Sequence, residues 1–491
     1  MHRHTESLFE YCRDMRSMAA SVKRNFAAQD LDRTLRPSMS ACSDRAMPSS
    51  AWFADFKASS ADTPAGAEML VRLCAPLAAV LLFFGQSGVA QAEGFALYEY
   101  SARGIALGGA MMARTPDASA VAYNAAQMTR LKGGHVMAGV SMVSPAGKMK
   151  WEQPDGTKGR SKLKDLNWYI PHAYYTQQIN DDWYFGVGEF TRYGLGFEYP
   201  HEWPGNVNIY EVSLMTFSIN PNIAWKATEK LSLAAGVEVV YGNLNLKKRS
   251  NMPAALGGGQ MDVNMRDMED VGYGFNLATH YQFNDQWAVG AQYRSPIKAK
   301  LKGDVEFGNA GMPAGGFQYV QQVMGYRDGR VSTKVTLPDS IAAGIAWTPV
   351  PEFSLEVGAV WTRWSTFSKL DFDMPHDLDK AKNPKKWRDV WRINVGAEWQ
   401  ALDWLALRAG YVFDESPMTT MHEDYLVPTN DRHIFSAGVG VKYEDWTVDL
   451  SYAYIHAIGR RYGANEATHT LDSKADASTT RILSVSVGYE F

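Results

Sequence analysis

From residue 134 to the C-terminus the chain alternates between tight turns and long connections, and the segments between them alternate apolar with polar residues. The tight turns are Asn180-Asp181-Asp182, Ala227-Thr228-Glu229-Lys230, Asn284-Asp285, Pro349-Val350-Pro351, Leu402-Asp403 and Glu444-Asp445. Long connections lie near 151–166, 198–209, 249–267, 304–330, 371–387, 415–431 and 460–479. Period two is the repeat of a β-strand, whose successive side chains point to opposite faces. Short turns at one end and long loops at the other are the pattern of an outer-membrane barrel, with the short turns in the periplasm. A water-soluble β-protein has no reason to sort its turns by length.

Fourteen strands fit this frame, at roughly 134–150, 167–179, 183–197, 210–226, 231–248, 268–283, 286–303, 331–347, 353–370, 388–401, 403–414, 432–444, 445–459 and 480–491. In 446–455, Trp446, Val448, Leu450, Tyr452 and Tyr454 share one face, and Thr447, Asp449, Ser451 and Ala453 share the other. Trp183, Trp225, Trp287, Trp347, Trp399, Trp404 and Trp446 flank the short turns, as an interfacial aromatic girdle would. The last strand alternates down to a terminal Phe491, the ending expected of a substrate for the outer-membrane assembly machinery. The expected fold is therefore all-β: a 14-stranded antiparallel transmembrane β-barrel over 133–491, a monomer among outer-membrane lipid and lipopolysaccharide.

The front of the chain reads as an address. Leu73 to Phe84 is an apolar stretch preceded by Arg72 and followed by the small-x-small site Ala90-Gln91-Ala92. It is too short to span a bilayer as a helix and matches a cleaved signal peptide over 69–92. Residues 1–68 read as a mis-assigned or dispensable extension, with Met69 the true start. Cleavage would remove Cys12, Cys42 and Cys74, the three cysteines of the chain, which excludes a disulfide framework or a cysteine zinc site in the body. The formal net charge of −4 gives no basic footprint for nucleic acid.

Residues 93–132 do not alternate and are rich in Ala and Gly. A barrel of fourteen strands has a wide lumen, and this segment, attached at the periplasmic end, is placed to plug it as a hatch. Here a family resemblance appears. Gly94-Phe95-Ala96-Leu97-Tyr98-Glu99-Tyr100-Ser101-Ala102-Arg103-Gly104, the segment from Asp117 to Met128, Leu337-Pro338-Asp339-Ser340, Trp361-Thr362-Arg363-Trp364-Ser365, Phe413-Asp414-Glu415-Ser416-Pro417 and Val427-Pro428-Thr429-Asn430-Asp431-Arg432 are similar, in order and spacing, to segments of the FadL-type family of long-chain fatty acid outer-membrane transporters. Ala125 departs from the proline usual in the second of these. The resemblance implies a hatch-closed barrel that takes up hydrophobic molecules by diffusion. They would be captured at the outer loops, passed to a pocket against the hatch and released sideways through a kink in the third strand. Gly194 and Gly196, inside that strand, are the candidate kink, since glycine within a strand favours a bulge or bend.

Two external loops carry an apolar load that suits either ligand capture or mutual packing as a lid. Met252, Leu256, Met261 and Met265 come from the first and Phe307, Phe317 and Met324 from the second; with Phe95 and Leu97 of the hatch they are the expected substrate-binding residues. Lys298, Lys334, Arg392 and Arg408 are the expected lumen cations for a carboxylate head group. Neither a phosphate loop, a Gly-x-Ser-x-Gly elbow nor a histidine pair at metal spacing is present, so no catalytic residue, cofactor or metal is expected. A general polar porin and an adhesin using its long loops are the competing functions.

Overall fold

A computed structural model describes residues 94–376, 378, 381–426, 430–466 and 468–491. The extension, the signal peptide with its cleavage site, Glu93 and Val427-Pro428-Thr429 lie outside the described residues. Fourteen antiparallel strands close on themselves. They are β1 (Gly134–Ala146), β2 (Trp168–Gln178), β3 (Trp183–Phe190, resumed at Leu195–Glu198), β4 (Glu211–Lys226), β5 (Leu231–Asn251), β6 (Gln260–Gln282) and β7 (Trp287–Arg294, resumed at Ile297–Ala310). The circuit continues through β8 (Gly329–Leu337, resumed at Ser340–Val350), β9 (Phe353–Thr362), β10 (Val390–Leu402), β11 (Leu405–Asp414), β12 (Arg432–Tyr443), β13 (Trp446–Ala457) and β14 (Ser478–Glu490). β14 pairs with β1 in the register Val140↔Val485, which closes the ring. The Phe491 N–H donates to the Gly134 carbonyl (2.9 Å) and the Gly134 N–H to the Phe491 carbonyl (2.8 Å), so the terminal residue locks that seam.

Alternation has the polarity of a membrane wall. On β13, Trp446, Val448, Leu450 and Tyr452 are exposed outward, while Asp449 and Ser451 are buried inward. Water would oppose that arrangement; lipid outside requires it. Near the short turns, Trp183 stacks on its cross-strand partner Trp225 and Trp287 on Trp347, each pair at 5.9 Å between ring centroids.

Two features differ from expectation. β5 and β6 run well past the expected loop boundary, so Met261 and Met265 belong to β6 and Phe307 to β7, leaving only 252–259 as loop between β5 and β6. The continued alternation of buried Met261, Val263 and Met265 accounts for this, since their inward face has a core to pack on. The first and last external loops are also ordered: Lys148–Glu152, Lys158–Lys162, Arg460–Tyr462 and Asp472–Ala475 form a separate four-stranded sheet.

The N-terminal segment packs against inward-facing groups of the wall. It contains α1 (Ala102–Ala106), capped by the Ser101 hydroxyl accepting from the Gly104 N–H, then α2 (Ala120–Tyr123) and a 3-10 turn at Ala125–Arg130. The Ala102 N–H donates to Ser486 Oγ on β14 (2.8 Å). On β9, Glu356 accepts three consecutive backbone N–H groups, from Met112 (2.6 Å), Ala113 (3.0 Å) and Arg114 (2.9 Å).

Candidate functional site

Two cavities border this segment. The first holds about 620 Å³ of empty space, open solvent included, and is lined by inward residues of β3, β4, β5, β7 and β8, among them Leu195, Leu214, Val240, Leu244, Ile297, Leu301 and Leu337, with Phe95 from the N-terminal segment and Leu426 from an outer loop. Among its lining residues only Thr216 carries a polar side-chain atom. Strand periodicity explains this purity, because each of these strands places its aliphatic residues on the inward register over this stretch.

The second cavity, with about 590 Å³ of empty space when open solvent is included, begins at the next residue along the chain: Phe95 faces the apolar space, whereas Ala96, Leu97 and Tyr98 face the second. Its wall carries Arg192, Arg294, Arg392, Gln292 and Asn394 beside Tyr98, Tyr100 and Tyr193. Arg192 and Arg294 share the single carboxylate of Glu238, at 2.9 and 3.1 Å. Each guanidinium also lies over an aromatic ring, Tyr193 and Phe190 respectively, at 5.1 Å. Arg392 stands over the Tyr98 ring at 4.4 Å and reaches Asp414 at 3.5 Å. Two guanidiniums on one carboxylate leave positive charge beside the tyrosines of the wall.

The third strand is broken beside these cavities. Phe190 pairs with Ser218 and Leu195 with Leu214, so β3 advances five residues while β4 advances four. That one extra residue is a β-bulge. Thr216 holds it: its hydroxyl donates to the Tyr193 carbonyl (2.6 Å) and accepts from the Tyr193 N–H (3.3 Å), while the Thr191 hydroxyl donates to the Thr216 carbonyl (3.0 Å). The ladder between β2 and β3 ends at Ala173↔Glu189 and contact resumes only where the Lys164 N–H donates to the Glu198 carbonyl (2.8 Å). Between those points β3 bonds the N-terminal segment instead, through Leu97 N–H to Arg192 O (2.8 Å) and Gly194 N–H to Phe95 O (2.9 Å). The β2–β3 ladder is therefore interrupted between Trp168–His172 of β2 and the bulge. Leu97, packed in one cluster with Trp168 and Ile170, stands behind it.

The residues expected from sequence fall into separate places. Phe95 lines the apolar cavity and Leu97 the charged one. Met261, Met265 and Phe307 are buried in the apolar cluster that includes the cavity walls; Met252, Leu256 and Phe317 pack half-buried on it, and Met324 is 42% exposed. Gly194 and Gly196 flank the resumption of β3, yet neither is among the described glycines with positive φ, so the bend comes from the extra residue and not from left-handed backbone. Lys298 and Lys334 need correction. Both are exposed on the face opposite the cavity, because Ile297, Ala299 and Leu301, and Val335 and Leu337, take the inward register on their strands. Arg392 does face the charged cavity. Arg408 is instead bound to Glu398 and Asp449, both at 2.5 Å, in a network with Arg103 of the N-terminal segment. Arg192, Arg294 and Glu238 were not anticipated. A signal existed, since Arg192 lies two residues before Gly194 and Glu238 interrupts Val237-Glu238-Val239 at an inward position.

On the external side, Glu198, His201 and Glu211 bring ligand atoms within 4.8 Å of one another, but Glu198 is paired with Lys164 and Glu211 with Lys247.

The chain is similar to the long-chain fatty acid transport protein of Escherichia coli (strain K12), 23% identical over 423 residues that cover 79% of this chain and 93% of that one. Its fold is similar to the crystal structure of a Pseudomonas aeruginosa FadL homologue (TM-score 0.71, 19% identity, 81% of this chain and 100% of that one). It is also similar to the crystal structure of the Pseudomonas putida toluene transporter TodX (TM-score 0.61, 18% identity, 80% and 99%). The family described as outer membrane protein transport protein (OMPP1/FadL/TodX) matches residues 84–491, and the chain belongs to that outer-membrane family.

Proposed function

We infer that this chain is a channel, and not an enzyme, that carries hydrophobic molecules with an acidic head group, long-chain fatty acids foremost, across the outer membrane. The observation that carries the reading is the junction of the two cavities: an almost wholly aliphatic chamber meets one whose wall presents Arg192 and Arg294 on a single shared carboxylate. Burying an alkyl chain gains about 0.8 kcal/mol per CH₂, which favours its transfer from water into the first chamber. A carboxylate then finds guanidinium donors in the second. A plain hydrocarbon would have no use for those arginines.

Residues 94–132 act as the hatch in this reading, and their bonds to Glu356 and Ser486 of the wall support it, since a polar porin would keep that space open to water. Release is sideways, through the opening between β2 and β3, so the alkyl chain passes to the bilayer without returning to water. The apolar residues beneath the outer loops form the capture surface.

Mass spectrometry of lipids co-purifying with the protein, together with fatty acid uptake in cells that lack their own transporter, tests the reading. Co-purified free fatty acids and restored uptake are expected. Bound hydrocarbons with no acids would reassign the substrate class, and large open-channel currents in planar bilayers would return the porin.

A further inference from the structure

The last rung between β2 and β3 holds an ionisable side chain that has no hydrogen-bond partner among the described residues. Glu189 pairs through its backbone with Ala173, the final pair before the wall opens. Tyr184, Gly186, Gly188 and Phe190 take the inward register on this strand, with Gly186 against Met128 and Gly188 against Val121 of the N-terminal segment. Glu189 therefore faces the lipid side. Trp183, in the aromatic girdle, is six residues earlier; at about 3.3 Å per residue and a tilt of about 40°, Glu189 stands roughly 15 Å above it, in the middle of an apolar band about 25 Å tall. Both carboxyl oxygens are covered by neighbouring atoms, and neither has a hydrogen-bond partner among the described residues. Arginines of the charged cavity pair elsewhere: Arg192 and Arg294 bind Glu238, on the inward face.

An unsatisfied carboxyl in a lipid-facing wall is costly, and such residues mark ligand pathways. What could satisfy this one must arrive through the hydrocarbon or the opening beside it, and must bring its own O–H donor. A protonated carboxylic acid does so, and its geometry is self-complementary: two carboxyl groups pair through two parallel O···O contacts, sharing their protons, with each oxygen satisfied. An ester or a hydrocarbon of the same length offers no O–H.

We propose that Glu189 is the exit-side binding group of the channel, pairing carboxyl to carboxyl with the protonated head group of a long-chain acid as it moves from the arginine-lined cavity through the β2–β3 opening into the bilayer. The inference rests on the fatty acid reading above and adds a specificity-determining residue to it. Glu189 would hand the head group from a site that binds its anion to a membrane that accepts only its neutral form.

Full-length protein in outer membranes, with variants present at equal abundance, tests this with palmitic acid and methyl palmitate as paired probes. Glu189→Leu should slow palmitic acid uptake on the order of tenfold, the worth of one buried hydrogen bond, and leave methyl palmitate unchanged. Glu189→Gln, which keeps a donor and an acceptor in the same plane, should retain most of the acid uptake. Unchanged acid uptake in Glu189→Leu, an equal loss for both probes, or a Glu189→Gln variant as slow as Glu189→Leu would each overturn the proposal. A parent protein that passes the ester but not the acid would overturn the fatty acid reading, and this inference with it.

Discussion

The N–H of Gly194 donates to the carbonyl of Phe95 at 2.9 Å, so a residue of the barrel wall takes its ladder bond from the N-terminal segment and not from the neighbouring strand. Thr191–Gly194, which part from β2, thus gain a partner in the N-terminal segment. Kink and N-terminal segment are one structural event: a chain lacking residues 95–97 would leave the backbone of Arg192 and Gly194 unpaired in the wall, and buried backbone groups seldom stay so. The break in the β2–β3 ladder and the lining of the apolar cavity therefore share Phe95, which accepts from Gly194 and faces that cavity.

Removing one guanidinium from the shared carboxylate should separate head group from tail. In Arg192→Met the aliphatic stem is kept and the charge lost, while Arg294 still covers Glu238 at 3.1 Å. Hydrogen bonds to charged groups are worth about 1.5–3 kcal/mol, so palmitic acid should bind roughly ten- to a hundredfold more weakly and its methyl ester equally well. Isothermal titration of both ligands against parent and variant measures the split; parallel weakening would place the ligand's carboxyl elsewhere.

Glu356 is the test of how firmly the N-terminal segment is seated. Its carboxylate accepts three successive backbone N–H groups and lies 3.7 Å from the Arg114 guanidinium, with both side chains buried. Glu356→Ala strands those donors and leaves a buried charge without its partner, a loss of about 3–5 kcal/mol in local stability. A barrel of normal heat-resistant mobility but raised planar-bilayer conductance is expected. Conductance equal to the parent's would mean that the segment is held by its other contacts alone, chiefly the Arg103–Glu398 pair at 2.7 Å.

Thr216→Val keeps the shape of the residue that clasps the bulge and deletes its hydroxyl. The Tyr193 N–H and carbonyl then lose a shared partner in a dry wall, at a cost of about 1–3 kcal/mol. Denaturant unfolding should report that loss. Because Thr216 is also the polar atom in the lining of the apolar cavity, hydrocarbon-tail binding should hold or improve slightly.

The strand frame was legible because period two, turn length and the tryptophan girdle all report the same bilayer. Alternation and turn length repeat from strand to strand, and the tryptophans mark about half of them. The site was only half legible. Met261, Met265 and Phe307 could be marked as an apolar load because composition shows it, but their places on strands and not in loops required knowing how far the ladder runs beyond the membrane. Lys298 and Lys334 failed for a related reason: a one-residue shift in register exchanges the two faces of a strand, and a long polar side chain does not announce its side. Arg192 and Glu238 were hidden by distance, since 46 residues separate two charges that meet at 2.9 Å. Pairing across strands is a property of register, which no local pattern contains.

The route of release can be tested by register alone. Between Phe190 and Leu195 the third strand has one residue more than β4 has between Ser218 and Leu214. Deleting Gly194 removes that residue without adding a side chain, and restores a continuous count along both strands. β-branched replacements at Gly194 and Gly196 would be a weaker test, because neither glycine needs left-handed backbone and the bulge is clasped by Thr216 and by residues 95–97. With the extra residue gone, the stretch after Glu189 can continue its ladder to Trp168–His172 of β2, and the opening closes. The apolar cavity is lined mostly from β4, β5, β7 and β8 and should survive, so ligand should still bind to purified protein with an affinity within about threefold of the parent's, a change of about 0.7 kcal/mol or less. Uptake by cells carrying equal amounts of the two proteins should fall at least about tenfold. Uptake at the parental rate, with binding intact, would show that the molecule leaves by another path, and the space beneath the N-terminal segment would be the place to look for it. Loss of binding as well as uptake would mean that the deletion had disturbed the cavity through Leu195, the one lining residue the resumed half of β3 contributes.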